Sequence, residues 1–464
     1  MIPPDELTTA ALAAARASGA DECIVLLTDT SEVNLRWANS TMTTNGHSTT
    51  RSFSVISVVN GAGGPAVGVV SGNGADLDEV RAVAAASEQA ARQSGPARDV
   101  APLLAGAADD DFAAPAATTG IGVFARLTDG LATAFADGPG ELLYGFAEHR
   151  LETTWLASST GLRRRWVQPT GTVELNGKVA DNLTRSAWAG AYTADFTDLD
   201  FAALAAEVRR RLDWSHRQVD LPAGRYETIL PPSAVADLML YMAWSMDGRP
   251  AHEGRSPFAA RTEAPGGTRV GERFTDLPLR LFSDPAAPGL GTAPFLLTSS
   301  SGDSVSVFDN GAPISAVDWI RKGTVHALAY PRGAAEELGG QFTPPPENLI
   351  LTGGSAATTD ELVANTEQGL LLTCLWYIRE VDPVSLLLTG LTRDGVYLIE
   401  NGEVTGQVNN FRFNESPIDL LRRVSEVGAT ERTLCREWKD WFPRAAMPPM
   451  RIPDFNMSSV SQAS

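Results

Sequence analysis

The sequence contains little lysine and has no long apolar run. Only three of its 37 basic residues are lysines, and 56 acidic residues bring the formal net charge to −19. Such a negative surface repels nucleic-acid phosphates and anionic lipid. The longest strongly apolar run, near residues 369–378, is too short to cross a bilayer, which takes ~20 residues. We therefore expect a protein that neither binds nucleic acid nor spans a membrane.

Cysteine is also scarce. Cys23, Cys374 and Cys435 are odd in number, lie far apart and form no CxxC pair. This spacing argues against a disulfide framework and against a cysteine-rich zinc site. The first residues have no basic stretch followed by a continuous apolar core, as a secretory signal requires. We therefore expect a location in the reducing cytoplasm.

Alternating apolar and polar residues dominate the first 95 positions, and this pattern is typical of half-buried strands in an antiparallel sheet. Asp76, followed by Glu79, predicts a helix cap. The predicted helices cover 5–18 and 77–92, and the predicted strands cover 22–29, 32–39, 51–60 and 66–70. After a linker rich in Ala, Pro, Gly and Asp at 93–119, we expect helices at 124–136 and 201–214 and strands at 141–158 and 163–175.

The pattern changes near residue 224. A strand at 225–230 precedes a helix that opens at Pro231 and runs through Asp247, with Gly248 as its C-cap. Short strands follow, and Asn401-Gly402 predicts a type I′ hairpin turn. The clearest short strands are predicted at 296–297, 305–308, 324–330, 348–351, 395–400 and 404–413.

These elements predict an α+β fold with an N-terminal antiparallel sheet and packed helices, followed by a mainly β C-terminal domain. The predicted parts are an α+β domain at 1–95, a central α/β segment joined to it at 96–217, a mainly β domain at 218–455 and a flexible tail at 456–464.

Sequence signatures of hydrolytic enzymes are missing. Zinc peptidases commonly place two histidines on one helix with a glutamate as general base. Glutamate follows histidine only at His252-Glu253, and the second histidine of HExxH or HExxxH is replaced by Ser256 or Pro257. Cys374 lies in an apolar run, where a buried thiol is the ordinary interpretation. A divergent site built from His252, Glu253 and Cys374 stays as an alternative.

A cluster of aromatic residues lies near Trp438 and Trp441. Such residues usually fill a core, but aromatic side chains also concentrate binding energy at interfaces. Both interpretations stay open from the sequence.

Several short stretches occur in an order that resembles the TldD/TldE (PmbA) family of metallopeptidases over roughly 430 residues. No single stretch is specific, but their order is. The stretches lie at 37–40, 44–46, 72–74, 153–161, 248–249, 253–256, 348–351, 361–362, 369–373, 397–403 and 449–452.

The resemblance implies a helix at the start of the third segment on which TldD-like chains carry HExxxH. Here Tyr241, Met242 and Met246 stand about where the two histidines and the glutamate would fall. Thioether and phenol groups are poor zinc ligands. The resemblance therefore implies a TldE-type subunit that holds no metal and is inactive by itself, with zinc in a TldD-like partner.

The same resemblance implies a heterodimer with a TldD-like catalytic subunit, enclosing a chamber in which unfolded peptides are cleaved. Arg249, Arg255 and Ser256 belong to a Gly-Arg…Gly-Arg-Ser pattern that TldE-like chains share, and they are candidates for contact with the partner or the substrate. Alternatives are a homodimer, a stand-alone metallohydrolase, and a scaffold that binds peptides by strand addition.

Overall fold

The computed structural model describes residues 2–74, 76–138, 140–261 and 266–461. Within these ranges, two short 3-10 helices cover Ile121–Phe124 and Val307–Asp309. The α-helices are α1 Pro4–Ser18, α2 Leu77–Gln93, α3 Ala125–Asp137, α4 Phe201–Trp214, α5 Pro232–Trp244, α6 Gly248–His252, α7 Arg332–Leu338, α8 Thr359–Ala364 and α9 Pro417–Arg423.

Most of the remaining ordered backbone is β-structure. The strands are β1 Glu22–Ala38, β2 Thr41–Gly61, β3 Gly64–Gly72, β4 Glu141–Ser158, β5 Arg163–Val179, β6 Asn182–Thr193, β7 Gln218–Val219, β8 Gly224–Leu230, β9 Arg280–Ser283, β10 Val317–Arg321, β11 Thr324–Val325, β12 Leu349–Thr352, β13 Gln368–Leu372, β14 Leu375–Asp382, β15 Leu387–Thr392, β16 Val396–Glu400, β17 Glu403–Val408, β18 Phe411–Glu415, β19 Glu426–Val427, β20 Glu431–Thr433, β21 Ala445–Met447 and β22 Met450–Val460.

The first sheet has the antiparallel order β3-β2-β1-β4-β5-β6. On one face of β1, Val25 and Leu27 contact the core under α1 and α2, whereas Val33 and Trp37 contact the core under α3 and α4. Ile24 and its neighbours on the opposite face contact the 3-10 helix of the C-terminal domain. Side chains therefore bury both faces of this sheet, as the alternation of strand residues requires.

Two further sheets, of six and ten strands, form the C-terminal domain in the orders β11-β10-β9-β12-β21-β20 and β14-β15-β18-β22-β8-β13-β16-β17-β7, with β19 beside β22. A single large apolar cluster joins residues of both sheets to α5 and α9. This arrangement confirms the predicted fold class, with an N-terminal antiparallel sheet and helices followed by a mainly β region.

The predicted strands at 22–29 and 32–39 are one continuous strand, β1. The polar residues at 29–32, where the two predicted strands meet, lie within β1. Asp29 pairs with Arg51 on β2 through a buried ion pair of 2.6 Å. A cross-strand partner therefore removes the cost of placing a charge in mid-strand.

Several other local predictions were also wrong; for example, no observed strand covers 296–297. Gly248 begins α6 instead of capping α5, and it lies against the ring of Tyr330, where a Cβ would not fit. Residues 305–308 include part of a 3-10 helix instead of forming a strand. The predicted tail at 456–464 is largely strand: β22 continues to Val460 and buries Met457, because it pairs with β18, whereas 462–464 lie outside the described residues.

The Asn401-Gly402 turn is confirmed, since both residues have positive φ, 54° and 82°, as a type I′ turn requires. None of the helices in the described ranges is long and apolar enough to cross a bilayer.

Candidate functional site

Helix α5 lies at the centre of the C-terminal domain. Pro232 occupies its first turn, where a missing N–H costs nothing. Apolar residues surround the helix on almost every side, and ten of its 13 residues are buried. A helix that is hydrophobic all round belongs in a core, so its sequence explains its central position.

The three residues at the expected metal-binding positions do not converge on one site. Met242 and Met246 are completely buried and belong to the apolar cluster between the two sheets. Tyr241 is only partly buried and lies beside an open cavity. Two of these side chains, including Met246 just after the end of α5, are therefore buried in the core, and one lies toward the surface.

These residues do not fit a zinc ion. Zinc in proteins is held by thiolate, imidazole or carboxylate groups, and α5 offers none of them at these positions. Across the described ranges, no group of three or more His, Cys, Asp or Glu side chains is arranged to hold a metal.

Arg249, a predicted partner or substrate contact, is a buried ion-pair residue. Its guanidinium donates to the carboxylate of Asp99 and, at 2.7 Å, to Glu337. These carboxylates raise the pKa of Arg249, with the Glu337 hydrogen bond as the largest cause. Since Asp99 lies in the segment between α2 and α3, Arg249 ties that segment to the C-terminal domain.

Arg255 and Ser256 differ in exposure although they are neighbours. The Arg255 side chain is 54% exposed and pairs with Glu253. That hydrogen bond is the main reason why the pKa of Glu253 is lowered. Ser256 is buried, donates to the Ser245 carbonyl and accepts from the Phe258 N–H. Of the three candidates, Arg255 is thus the one placed to meet another molecule.

The alternative site of His252, Glu253 and Cys374 is not assembled by any contact within the described residues. Both ring nitrogens of His252 are engaged, with the Gly266 carbonyl at 2.7 Å and the Tyr330 hydroxyl at 3.2 Å. Burial raises the pKa of Cys374 to about 12. A thiol with such a pKa is almost entirely protonated at neutral pH and is a poor nucleophile.

An open cavity of about 430 Å³ lies beside the exposed side of α5. Three aromatic rings border it, and their centroids are 5.1–6.3 Å apart at steep mutual angles: Tyr241, Trp244 and Trp438. We call this cavity the aromatic pocket. Its remaining lining residues are Ser245, Ile378, Arg379 and Glu380.

Buried polar groups hold the aromatic pocket together. Asp237 on α5 accepts a hydrogen bond from the Glu437 N–H at 2.9 Å, and its carbonyl accepts one from the Trp438 indole at 2.8 Å. The Glu437 carboxylate in turn accepts from the N–H groups of Tyr377 and Ile378 on β14, both at 3.1 Å. The helix, the Trp438 segment and β14 are thereby fixed relative to one another.

Sequence reasoning named Tyr241, Trp438 and Trp441 but missed Asp237 and Glu437. Asp237 is fully buried, and burial raises its pKa well above the usual range. The signal for Asp237 in the sequence is a single aspartate in an apolar helix, DLMLYMAW, because a buried carboxyl group needs hydrogen-bond partners.

A second cavity, of about 660 Å³, lies between α4, β6 and β20. Its arginines are already paired with carboxylates: Arg210 with Asp360 at 2.8 Å, and Arg432 with Asp198 at 2.5 Å. We therefore regard it as an ion-paired seam between the central segment and the C-terminal domain.

Several solved structures share this fold. The crystal structure of TldE from Thermococcus kodakarensis matches 97% of this chain and 99% of its own, with a TM-score of 0.78 at 14% identity. A protein described as a candidate modulator of DNA gyrase from Bacteroides thetaiotaomicron matches 99% and 100%, with a TM-score of 0.78 at 15% identity. A similarly described protein from Thermotoga maritima matches 97% and 99%, with a TM-score of 0.75 at 15% identity.

Family models identify the chain more specifically. The PmbA/TldA metallopeptidase models match at 23–91 for domain 1, 124–215 for the central domain and 223–459 for the C-terminal domain. The chain therefore belongs to the PmbA/TldD metallopeptidase family, as the resemblance in the sequence indicated. A search of curated proteins found no match.

Proposed function

We propose that this chain is a non-catalytic, TldE-type subunit that pairs with a TldD-like catalytic subunit in the proteolysis or maturation of peptides. The observation that carries the proposal is the composition of α5. At the positions where a TldD-like chain would need two imidazoles and a carboxylate, this chain has Tyr241, Met242 and Met246. Two of these side chains are sealed in the core, so a modest rearrangement would not turn them into ligands.

The surface also supports a role in association. Several of its large exposed apolar side chains lie on β14, on the turn that follows it, and near the aromatic pocket. They are Trp244, Tyr377, Val381, Val384 and Trp441. Exposed apolar side chains grouped in this way are typical of binding surfaces. In the proposed complex the zinc belongs to the TldD-like partner, and this chain contributes to the walls of the chamber.

Co-expression tests the proposal. This chain is purified through a tag together with a TldD-like protein that has an intact HExxxH motif, and the mass of the product is measured by light scattering after size exclusion. We expect a one-to-one complex that cleaves unfolded peptides and loses activity with a chelator. A partner whose HExxxH glutamate is replaced by glutamine serves as the control and should assemble without cleaving.

Two results would contradict the proposal. One is chelator-sensitive peptide hydrolysis by this chain when it is purified alone. The other is a stable homodimer that does not exchange with any TldD-like chain.

A further inference from the structure

We propose that the aromatic pocket binds the cationic side chain of an arginine or lysine in an extended peptide. This inference rests on the proposed peptide-handling function and specifies the kind of peptide side chain that one pocket would bind. It follows from three features of the pocket, namely the exposed Trp244 ring, the Glu380 carboxylate, which has no partner among the described residues, and a rigid frame.

The Trp244 ring of the pocket is exposed, whereas the Trp438 ring is largely buried. Arg210 lies 4.8 Å from the ring centre of Trp214, and Arg436 lies 3.8 Å from that of Trp376. Within the described ranges, no guanidinium lies over Trp244 or Trp438, although Trp244 is 39% exposed. The exposed face of Trp244 is therefore accessible to a cation from another molecule.

Glu380 supplies the charge that a cation would meet. Glu380 lines the pocket, and none of the described residues forms a hydrogen bond or an ion pair with its carboxylate. Arg379 also lines the pocket, but its guanidinium donates to the Ile378 carbonyl at 2.7 Å and lies 3.4 Å from the Glu437 carboxylate, which offsets its charge. Tryptophan faces beside a free carboxylate favour a cation over an apolar or anionic group, and the net charge of −19 attracts basic peptides from a distance.

The frame of the pocket favours capture of a side chain over pairing with the peptide backbone. β14 is an edge strand, and edge strands can accept an added strand. Here, however, the Glu437 carboxylate already occupies the N–H groups of Tyr377 and Ile378. Tyr377 is held at a φ of 49°, an unusual value for an aromatic residue, at an irregularity of the strand. Strand addition is therefore blocked at these two positions.

The test measures binding of dye-labelled peptides to the isolated chain by fluorescence anisotropy. The peptides share one uncharged, unfolded sequence and differ at a single central residue, which is arginine, lysine, norleucine or glutamate. We expect the arginine and lysine peptides to bind about 3-fold or more tighter than the norleucine peptide, in line with the usual strength of cation–aromatic contacts. Added salt should reduce this preference.

Two substitutions in the pocket should remove the preference, and two matched substitutions should not. Glu380→Gln and Trp244→Leu alter the pocket itself. Glu403→Gln removes an exposed carboxylate on β17, and Trp166→Leu removes a partly buried tryptophan that lines a different cavity. Circular dichroism of all four variants confirms that each remains folded.

Three outcomes would overturn the inference: equal binding of the norleucine and arginine peptides, no binding of any peptide, or an arginine preference that Glu380→Gln leaves intact. Loss of peptide binding when a TldD-like chain is added would also overturn it, by assigning this surface to the subunit interface. Failure of the two chains to associate is a separate result and refutes only the proposed complex.

Discussion

Asp237 and Trp438 are joined by a hydrogen bond of 2.8 Å, in which the Trp438 indole Nε1–H donates to the Asp237 carbonyl oxygen. The same aspartate uses its carboxyl oxygen Oδ1 to accept from the Glu437 N–H. Its other oxygen, Oδ2, has no hydrogen-bond partner in the described structure. One residue of α5 therefore positions two consecutive residues of a distant segment.

Replacing Asp237 tests this role. Asp237→Ala leaves the Glu437 N–H without its acceptor, and an unsatisfied buried donor costs about 1–3 kcal/mol. Asp237→Asn keeps an acceptor oxygen and should cost about 1 kcal/mol or less. Urea unfolding measures both free energies. Equal stability of the alanine and asparagine variants would show that the carboxyl oxygen does not hold this segment.

The three thiols should be inert in the folded protein. Burial raises the pKa of Cys23 and of Cys374 to about 12, and it raises that of Cys435 well above its usual value. Since the thiolate is the reactive form, a disulfide reagent at pH 8 should label no cysteine before urea is added and all three afterwards. Rapid labelling of native Cys374, absent in Cys374→Ala, would revive the idea of a cysteine nucleophile.

Asp247 should make stability depend on pH. Burial, aided by the nearby Asp303, raises the pKa of Asp247 from 3.8 to about 7, while a hydrogen bond from Ser304 acts in the opposite direction. The folded state thus holds this proton more tightly than the unfolded chain. The stability contributed by Asp247 is complete below about pH 4 and is lost as the pH rises through about 7.

Asp247→Asn removes this dependence. Relative to the parent protein, the variant should gain stability between about pH 4 and pH 7, by at most about 1.4 kcal/mol per pH unit. Urea unfolding at several pH values measures the difference. Asp276→Asn, at a side chain that is 96% exposed, is the control and should give a difference that stays flat across the range. A flat difference for Asp247→Asn as well would contradict the assignment.

Arg249 and Arg255 should differ in their effect on stability although both belong to one short motif. Arg249→Ala leaves the buried Asp99 carboxylate without its cation, and breaking a buried ion pair costs about 3–5 kcal/mol. Arg255→Ala removes an exposed pair and should leave stability almost unchanged. Thermal or urea unfolding of the two variants checks this contrast. Similar losses of stability in the two variants would contradict the explanation by burial.

The sequence predicted those parts of the fold in which local pattern and tertiary environment agree. The α4 prediction at 201–214 matches the observed Phe201–Trp214, because its apolar spacing faces a single core. The break predicted near Asp29 failed because the partner that satisfies it, Arg51, lies on another strand. The helix predicted through Asp247 ends at Trp244, since Gly248 is used for close contact with Tyr330.

The candidate site was less accessible to sequence reasoning. The departure from HExxxH could be read directly at Tyr241, Met242 and Met246. The aromatic pocket could not be predicted from the sequence, because Trp438 lies 194 positions from Trp244 and only the fold brings the centres of their rings to 5.1 Å. The role of a buried group such as Asp237 is also hard to predict from sequence, since one carboxyl group in an apolar helix does not indicate which residues it bonds.

The β1–β4 pairing makes one cooperative unit of two segments that match separate family models. β1 comes from the first segment and β4 from the second, and their register extends from Ile24 opposite Ser158 to Trp37 opposite Gly145. A fragment that stopped near residue 95 would leave β1 as a bare edge, a common starting point for aggregation. The first 95 residues therefore lack the strand that covers the edge of β1 until β4 has been synthesised.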